Sequence, residues 1–573
     1  MKDLGTVDQQ RAMLEEAHGQ GRVATLKAYA RLSGPGWLQS ALSLGGGSLG
    51  SSLYLGIIGG AAFLWIQPIA MFFGVVMLCS IGYVTLSIGD RPLRAINRHI
   101  NPMLGWSWLL GTLLANMVSS MPQYSLSVAV IEQNFLSENM LGAGATSHGM
   151  GKWVISFLLL GLCTAVTWSY DRGGWGMRAY DLILKLVVAV IVLSFIGVVV
   201  RMAISDSGIG LAQVLSGLAP KPQHFFHPVE TFTPLLEAIQ DPEARRYWSD
   251  VIVGEQRDIM IAAGGLAVGI NTTFLLPYVL LSRGWGKAFR GFMRFDLATA
   301  TFIPFVVATG CVVLAAGNRF HGELPSGFVV SAEGTITPPE RFQAPFERSL
   351  AAREEAAVGD NYSLGAISVD ERRVAAVMVR RDTFDLARAL DALYSSGGSS
   401  GSWLSHAVFG VGVLGMTLSS ISLMMLISGF AVCEALNLPA TGWPFRLGCL
   451  VSGVGVLWPL FSGESSLAWL TVLTGVYFAM LLPIAYLAFY AMMNSKALLG
   501  DERPIGTPRV LWNLLMGIAV FAATAASVSA IYKKAGMAGL IAAGVYVALI
   551  LVVQFRMRGV DAPGDDAQVT PGD

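Results

Sequence analysis

Polar and charged residues in this chain fall in short clusters separated by apolar runs of about 20 residues, the length that crosses a hydrocarbon core of about 30 Å. Runs recur near 36–60, 62–89, 104–131, 153–169, 180–203, 259–282, 296–316, 404–432, 444–462, 467–493, 510–531 and 535–555. The pattern predicts an all-α membrane protein with about twelve transmembrane helices. Residues 1–33 are polar and lack the apolar core and cleavage site of a signal peptide, so they read as a cytoplasmic, solvent-exposed tail. Spans one to five occupy 34–203, and an extracytoplasmic loop fills 204–257. Spans six to ten occupy 258–495, with a second extracytoplasmic loop at 317–403. Spans eleven and twelve lie within 508–556, and the polar end 557–573 reads as a disordered cytoplasmic tail. In the longer loop, DTFDLARALDALY sets Phe384, Leu386, Leu390 and Leu393 near one helical face, and a Gly/Ser tether follows. Neither loop has the apolar mass for a core of its own.

Composition agrees with the pattern. Of 573 residues, 54% are hydrophobic and 13% charged, and the mean hydropathy is +0.58; a soluble domain carries about a quarter charged residues. Zero formal net charge argues against a nucleic-acid partner. Lys and Arg are concentrated in alternate short loops, at Arg91, Arg94 and Arg98, at Arg172 and Arg178, at Arg283, Lys287, Arg290 and Arg294, at Arg446, and at Lys496, Arg503 and Arg509. The opposite loops hold little beyond Lys152, Lys533 and Lys534. Both termini are therefore expected on the cytoplasmic side of a cell membrane, the inner one in a Gram-negative cell. Cys79, Cys163, Cys311, Cys433 and Cys449 lie in apolar runs without CxxC spacing and read as free buried thiols.

Two interruptions carry the chemistry. The first run contains Gly45, Gly46, Gly47 and Ser48, and the sixth contains Asn271, Thr272 and Thr273 ahead of Pro277. Proline removes a helical N–H and clashes with the preceding turn. Backbone groups cannot stay unpaired in hydrocarbon, so a broken helix at membrane depth lines a cavity or is buried in protein. Interrupted spans in corresponding places of two halves point to the binding site of an inverted-repeat transporter. Glycine also packs helices closely, which is the simpler reading for Gly56, Gly59 and Gly60.

These residues carry a likeness. GPGWLQSALSLGGGSL resembles the first span of the Nramp (natural resistance-associated macrophage protein) divalent-metal transporters, and GLAVGINTTFLLPYVLL resembles their sixth. Weaker similarity runs through YVTLSIGDRPLRAIN, YDLILKLVVAVIVLSF and HAVFGVGVLGMTLSSISLMMLISGFAVCEALNLP. The resemblance implies the LeuT-like five-plus-five inverted repeat with spans one and six broken and two further spans. It also implies a metal site that this chain has lost. Gly45 stands where the family has its metal-binding aspartate, Gly46 at its proline and Ser48 at its asparagine. Thr273 stands at its alanine, Leu276 at its methionine, and Tyr278 at its histidine. Span ten has no glutamine. A transition-metal site needs carboxylate, carbonyl, imidazole or thioether ligands, so a divergent branch without metal transport is expected.

Losing the carboxylate changes what the pocket attracts. The N-terminus of a broken helix offers free N–H groups and partial positive charge. With Gly45, Gly46, Gly47, Ser48, Asn271, Thr272, Thr273, Leu276 and Tyr278 around it, the pocket suits a small singly charged oxyanion. Bicarbonate fits, and it is similar to the substrate assigned to a divergent Nramp-related branch. Uptake against a negative-inside potential costs about 2.3 kcal/mol per charge per 100 mV, so a coupling ion is expected. Similar folds hold sodium between first-span carbonyls and eighth-span hydroxyls, which here implicates Leu44, Ser419 and Ser420; Thr417 and Ser422 are further hydroxyls, and any of these can instead bond its own helix. No cofactor is expected, and no nucleophile and base set marks an enzyme. The rival readings are an amino-acid transporter, a Mg²⁺-like cation transporter and a transport-dead sensor. Glu132, the i, i+4 pair Asp181 and Lys185, and His406 are membrane-depth or interfacial charges. Trp106, Trp108 and Trp458 read as interfacial belt. The partners are a small ion and the lipid bilayer; the oligomeric state is open, and a monomer is compatible with the pattern.

Overall fold

The computed structural model describes residues 6–32, 34–132, 150–171, 174–204, 210–325, 327–331, 335–358, 365–380, 399–461 and 467–560. The helix read in DTFDLARALDALY and the end of the chain from 561 lie outside these, as does Arg172; of Arg178 and His406 only the backbone is described. Among the described residues, nine helices are long and apolar enough to cross a membrane, ten when the bent pair Gly36–Ser43 and Gly46–Phe63 is joined as one span. Helix Pro102–Val130 is the expected third span, with Asn116, Ser119, Ser120 and Gln123 all turned into protein. The 55-residue helix Gly506–Val560 breaks at Gly536, where φ is 58°. Lys533 reaches Gly254 at one end of the bundle and Asn101 reaches the Ile550 carbonyl at the other, so the chain reverses there into spans eleven and twelve.

Two expectations need correction. The sixth span starts at Pro242, inside the segment read as loop, because Asp241 caps the Glu243 amide at 3.0 Å and Pro242 opens the helix. The N-terminal segment is not a free tail. Its helices Val7–Gln20 and Arg22–Arg31 bury Leu14, and Tyr29 packs on Phe292 and Phe295 at 5.7 and 5.5 Å between ring centres. Beyond the i, i+4 partner Lys185, Asp181 also pairs across the bundle with Arg283 at 2.6 Å, at the end of the sixth span.

Part of the long loop folds down as a cap. Helix Glu340–Val358 supplies Arg353, and the segment from Ser368 supplies Glu371; the two form a buried pair at 2.6 Å, joined by the Trp248 indole N–H at 3.0 Å. The sixth span's first half is thereby tied to the cap. At the far end, Glu502 clamps Lys287 and Arg290 at 2.6 and 2.7 Å. Of the five free cysteines, Cys311 alone is only partly buried.

Candidate functional site

Both breaks are real and face one another. The first half-helix Gly36–Ser43 ends at Leu44, the second, Gly46–Gly59, starts after the extended Gly45 (ψ 174°), and the axes differ by 55°. In the sixth span, helix Pro242–Ala267 gives way at Val268 and Gly269 to Ile270–Ser282. Asn271, Thr272 and Thr273 are therefore the first turn of a half-helix and not the break itself. Pro277 lies inside that half-helix, eight residues past Gly269, and does not make the interruption. Glycine at 269 is required by crowding: a Cβ there would come within 2.6 Å of the Phe478 ring.

Between the breaks lies a cavity of about 20 Å³, room for a water-sized occupant. Gly45, Gly47, Ser48, Asn271 and Thr272 line it. Thr273, Leu276 and Tyr278 do not. The Thr273 hydroxyl accepts from the Trp108 indole at 3.0 Å, which makes Trp108 a buried core residue and not belt. Leu276 is fully buried, and Tyr278 stacks on Phe274 at 4.5 Å and on Phe430 at 5.9 Å. Gly46 contributes through its amide, which donates to Gln123 Oε1 at 3.0 Å. The amides of Gly47 and Ser48 meet no acceptor among the described residues. The Ser48 hydroxyl donates to the Ser43 carbonyl left over at the end of the first half-helix.

The walls also contain residues that single-motif reading missed. Ser119, Pro122 and Gln123 come from span three, Met424 from span eight, and Thr474 and Phe478 from span ten. A second amide and a thioether thus join a site expected to hold hydroxyls, one amide and backbone. The signal was present in span three: Thr112, Asn116, Ser119, Gln123 and Ser127 recur at helical spacing along one face of an apolar run. Asn116 bonds Ser428 at 3.2 Å, and Ser127 bonds Thr417 at 2.6 Å, so the stripe glues span three to span eight. Among the described residues, no cluster of three His, Cys, Asp or Glu side chains could hold a metal.

Span eight brings the hydroxyls to the first break. Ser419 Oγ lies 3.4 Å from the Ala41 carbonyl and 3.0 Å from its own Met416 carbonyl. Ser420 Oγ is buried with no hydrogen-bond partner, and it occupies the space where a side chain at position 45 would begin. Leu44 is buried beside them, its amide bonded to the Ser40 carbonyl at 2.8 Å. Below, Asp296 of span seven accepts from the amides of Gly34 and Gly36 at 3.2 and 2.6 Å, and Thr301 bonds the Gly36 carbonyl at 2.9 Å. The start of the first half-helix is thereby pinned, and neither glycine leaves space for a Cβ against Asp296.

Paired broken helices, five spans apart and packed on an intact scaffold, define the LeuT-like inverted-repeat fold of Nramp transporters. The manganese transporter of Eremococcus coleocola is similar over nearly the whole length: its complex with an aromatic bis-isothiourea substituted compound superposes with a TM-score of 0.60 at 15% identity, covering 93% of this chain and 94% of that one. Two mutant forms of the same transporter give 0.58 and 0.57 at 14% identity, with the same coverage. Neither a protein-family model nor a curated protein matches the sequence.

Proposed function

We propose that the chain is a secondary active transporter of a small oxyanion, bicarbonate as the best candidate, coupled to sodium and working by alternating access around the two breaks. The observation that carries this reading is at Gly45. The position from which a metal-binding carboxylate would project is filled by Ser420, and the polar lining of the cavity beside it is amide hydrogens, hydroxyls and carboxamides, with the Met424 thioether and no carboxylate. Free N–H groups at Gly47 and Ser48 suit negative charge. Ser420, with an unpartnered buried hydroxyl next to first-span carbonyls, is the group best set to hold the coupling sodium, assisted by Ser419 and the Leu44 carbonyl. Both termini lie on the cytoplasmic side in this scheme, and no enzymatic step is part of it.

Purified protein in liposomes tests the reading. Saturable uptake of labelled bicarbonate that rises with an inward sodium gradient, with no saturable Mn²⁺ uptake, is expected. Saturable Mn²⁺ uptake would overturn it.

A further inference from the structure

On the flank of the bundle, away from the central cavity, lies a groove of about 600 Å³, within the ~300–1,000 Å³ of ligand pockets. Trp65 and Phe73 form one wall, Tyr486 of span ten and Ala519 and Ala523 of span eleven another. Its floor is the sixth span's first half at Gly264, where a Cβ would meet nothing within 4 Å. An apolar groove of this kind does not hold water well.

One end of the groove is cationic. Arg257 lines it, held by the Phe225 carbonyl at 3.0 Å from Nη2. One residue on, Asp258 receives Lys533 at 2.8 Å and Lys534 at 3.5 Å from the turn between spans eleven and twelve. Lys533 also bonds the Gly254 carbonyl at 2.9 Å. The neighbouring Glu255 is taken by Arg380 at 2.9 Å. Arg257 thus lines the groove, and beside it in sequence Asp258 draws two lysines together from the span-eleven turn.

We propose that this groove is a binding site for an anionic phospholipid, with one acyl chain along Gly264 and the span-eleven alanines and its phosphate against Arg257, Lys533 and Lys534. Positive charge at a helix end beside an apolar slot matches both parts of such a lipid. The site has a mechanical consequence. Leu266 of the same half-helix lines the central cavity while Gly264 and Gly265 face the groove, so the lipid touches the back of an element that borders the substrate site.

Native mass spectrometry of the full chain, equilibrated with equal amounts of phosphatidylglycerol and phosphatidylcholine, provides the test. The native protein is expected to retain phosphatidylglycerol preferentially. A Lys533→Gln, Lys534→Gln variant should lose roughly fivefold of that preference per cation removed, and Gly264→Leu should lose bound lipid of both kinds. Equal retention of the two lipids by the native protein would overturn the proposal, as would an unchanged preference in the lysine variant. Undiminished lipid on Gly264→Leu would do the same. A dimer mass in place of bound lipid would assign the groove to a second copy and also overturn it. The lysine variant changes side chains at a helix end only, and decides the point if Gly264→Leu does not fold.

Discussion

The two breaks solve one problem by different means. In the sixth span the orphaned backbone is satisfied within the span: the Gly269 carbonyl accepts from the amides of Thr272 and Thr273 at 3.0 and 3.3 Å, and Asn271 Oδ1 accepts from Thr272 at 2.8 Å. The span stays straight enough to count as a single helix of 41 residues. In the first span the axis turns by 55°; Ser48 takes the Ser43 carbonyl from within, while the Gly46 amide and the Ala41 carbonyl are satisfied from outside, by Gln123 of span three and Ser419 of span eight. A break capped by its own residues resembles an N-cap and holds its shape alone. A break capped by other spans changes when those spans move, so the first is the more responsive half of the site and the sixth the more rigid.

The harshest way to break this comparison is Gly45→Asp. The new Cβ would overlap Ser420, and the new carboxylate would face the free amides with negative charge. Oxyanion uptake in liposomes is expected to fall below detection. Gly45→Asn separates the two causes: it makes the same overlap with Ser420 without the charge, so uptake should fall but remain measurable. Loss as complete as in Gly45→Asp would mean that charge in the pocket is not what selects the solute.

Next in size is the contrast between caps. Gln123→Leu removes the acceptor of the buried Gly46 amide, costing about 1–3 kcal/mol. Asn271→Ala removes one local cap whose backbone partner, Thr272, keeps the Gly269 carbonyl, costing about 1 kcal/mol. Thermal unfolding in detergent should rank Gln123→Leu as the more damaging. The reverse order would contradict the assignment of the first break as the externally supported one. A smaller change is expected from Asp296→Asn, which keeps one acceptor oxygen but weakens the charge-assisted bonds to Gly34 and Gly36. Cysteine accessibility at the start of the first half-helix should rise severalfold; no change would show that Asp296 does not hold it.

The breaks were legible because membrane helices reveal their exceptions: GGGS and NTT stand out against apolar runs, and five of the nine residues read from them line the cavity. Pro277 misled because a proline in a membrane helix can be accommodated without opening it, so counting from it placed Leu276 and Tyr278 in the site when they pack in the core. Gln123 and Met424 were missed for another reason. They reach the site through the packing of spans three and eight, and only the polar stripe from Thr112 to Ser127 hinted at that neighbourhood. Trp108 looked interfacial by position in its span, yet a partner 165 residues away, Thr273, draws it into the core. Long-range pairings of this kind are not written in local pattern.

The smallest expected effect separates the two spans by pH. The outer part of the first span is tied to a histidine: His321 lies 3.0 Å from the Ile57 carbonyl through Nδ1 and 2.8 Å from Thr231 Oγ1 through Nε2. The matching tie on the sixth span is Arg283 with Asp181 at 2.6 Å, which involves no histidine. Burial lowers the His321 pKa below its ordinary 6.5, and the bond to Ile57 offsets only part of that. A histidine with a lowered folded pKa contributes stability that is present above the unfolded value and is lost as pH falls through 6.5 toward the folded value. The nearby His224 ring, also lowered by burial, has Glu230 at 3.7 Å and moves stability in the same direction. Between pH 7.5 and 5.5 the native protein should therefore lose thermal stability on the order of 1 °C more than a His321→Gln variant, which keeps a donor for Ile57 but cannot titrate. If the two proteins respond to acid alike, the histidine is not a titrating tie, and the contrast between the spans rests on the breaks alone.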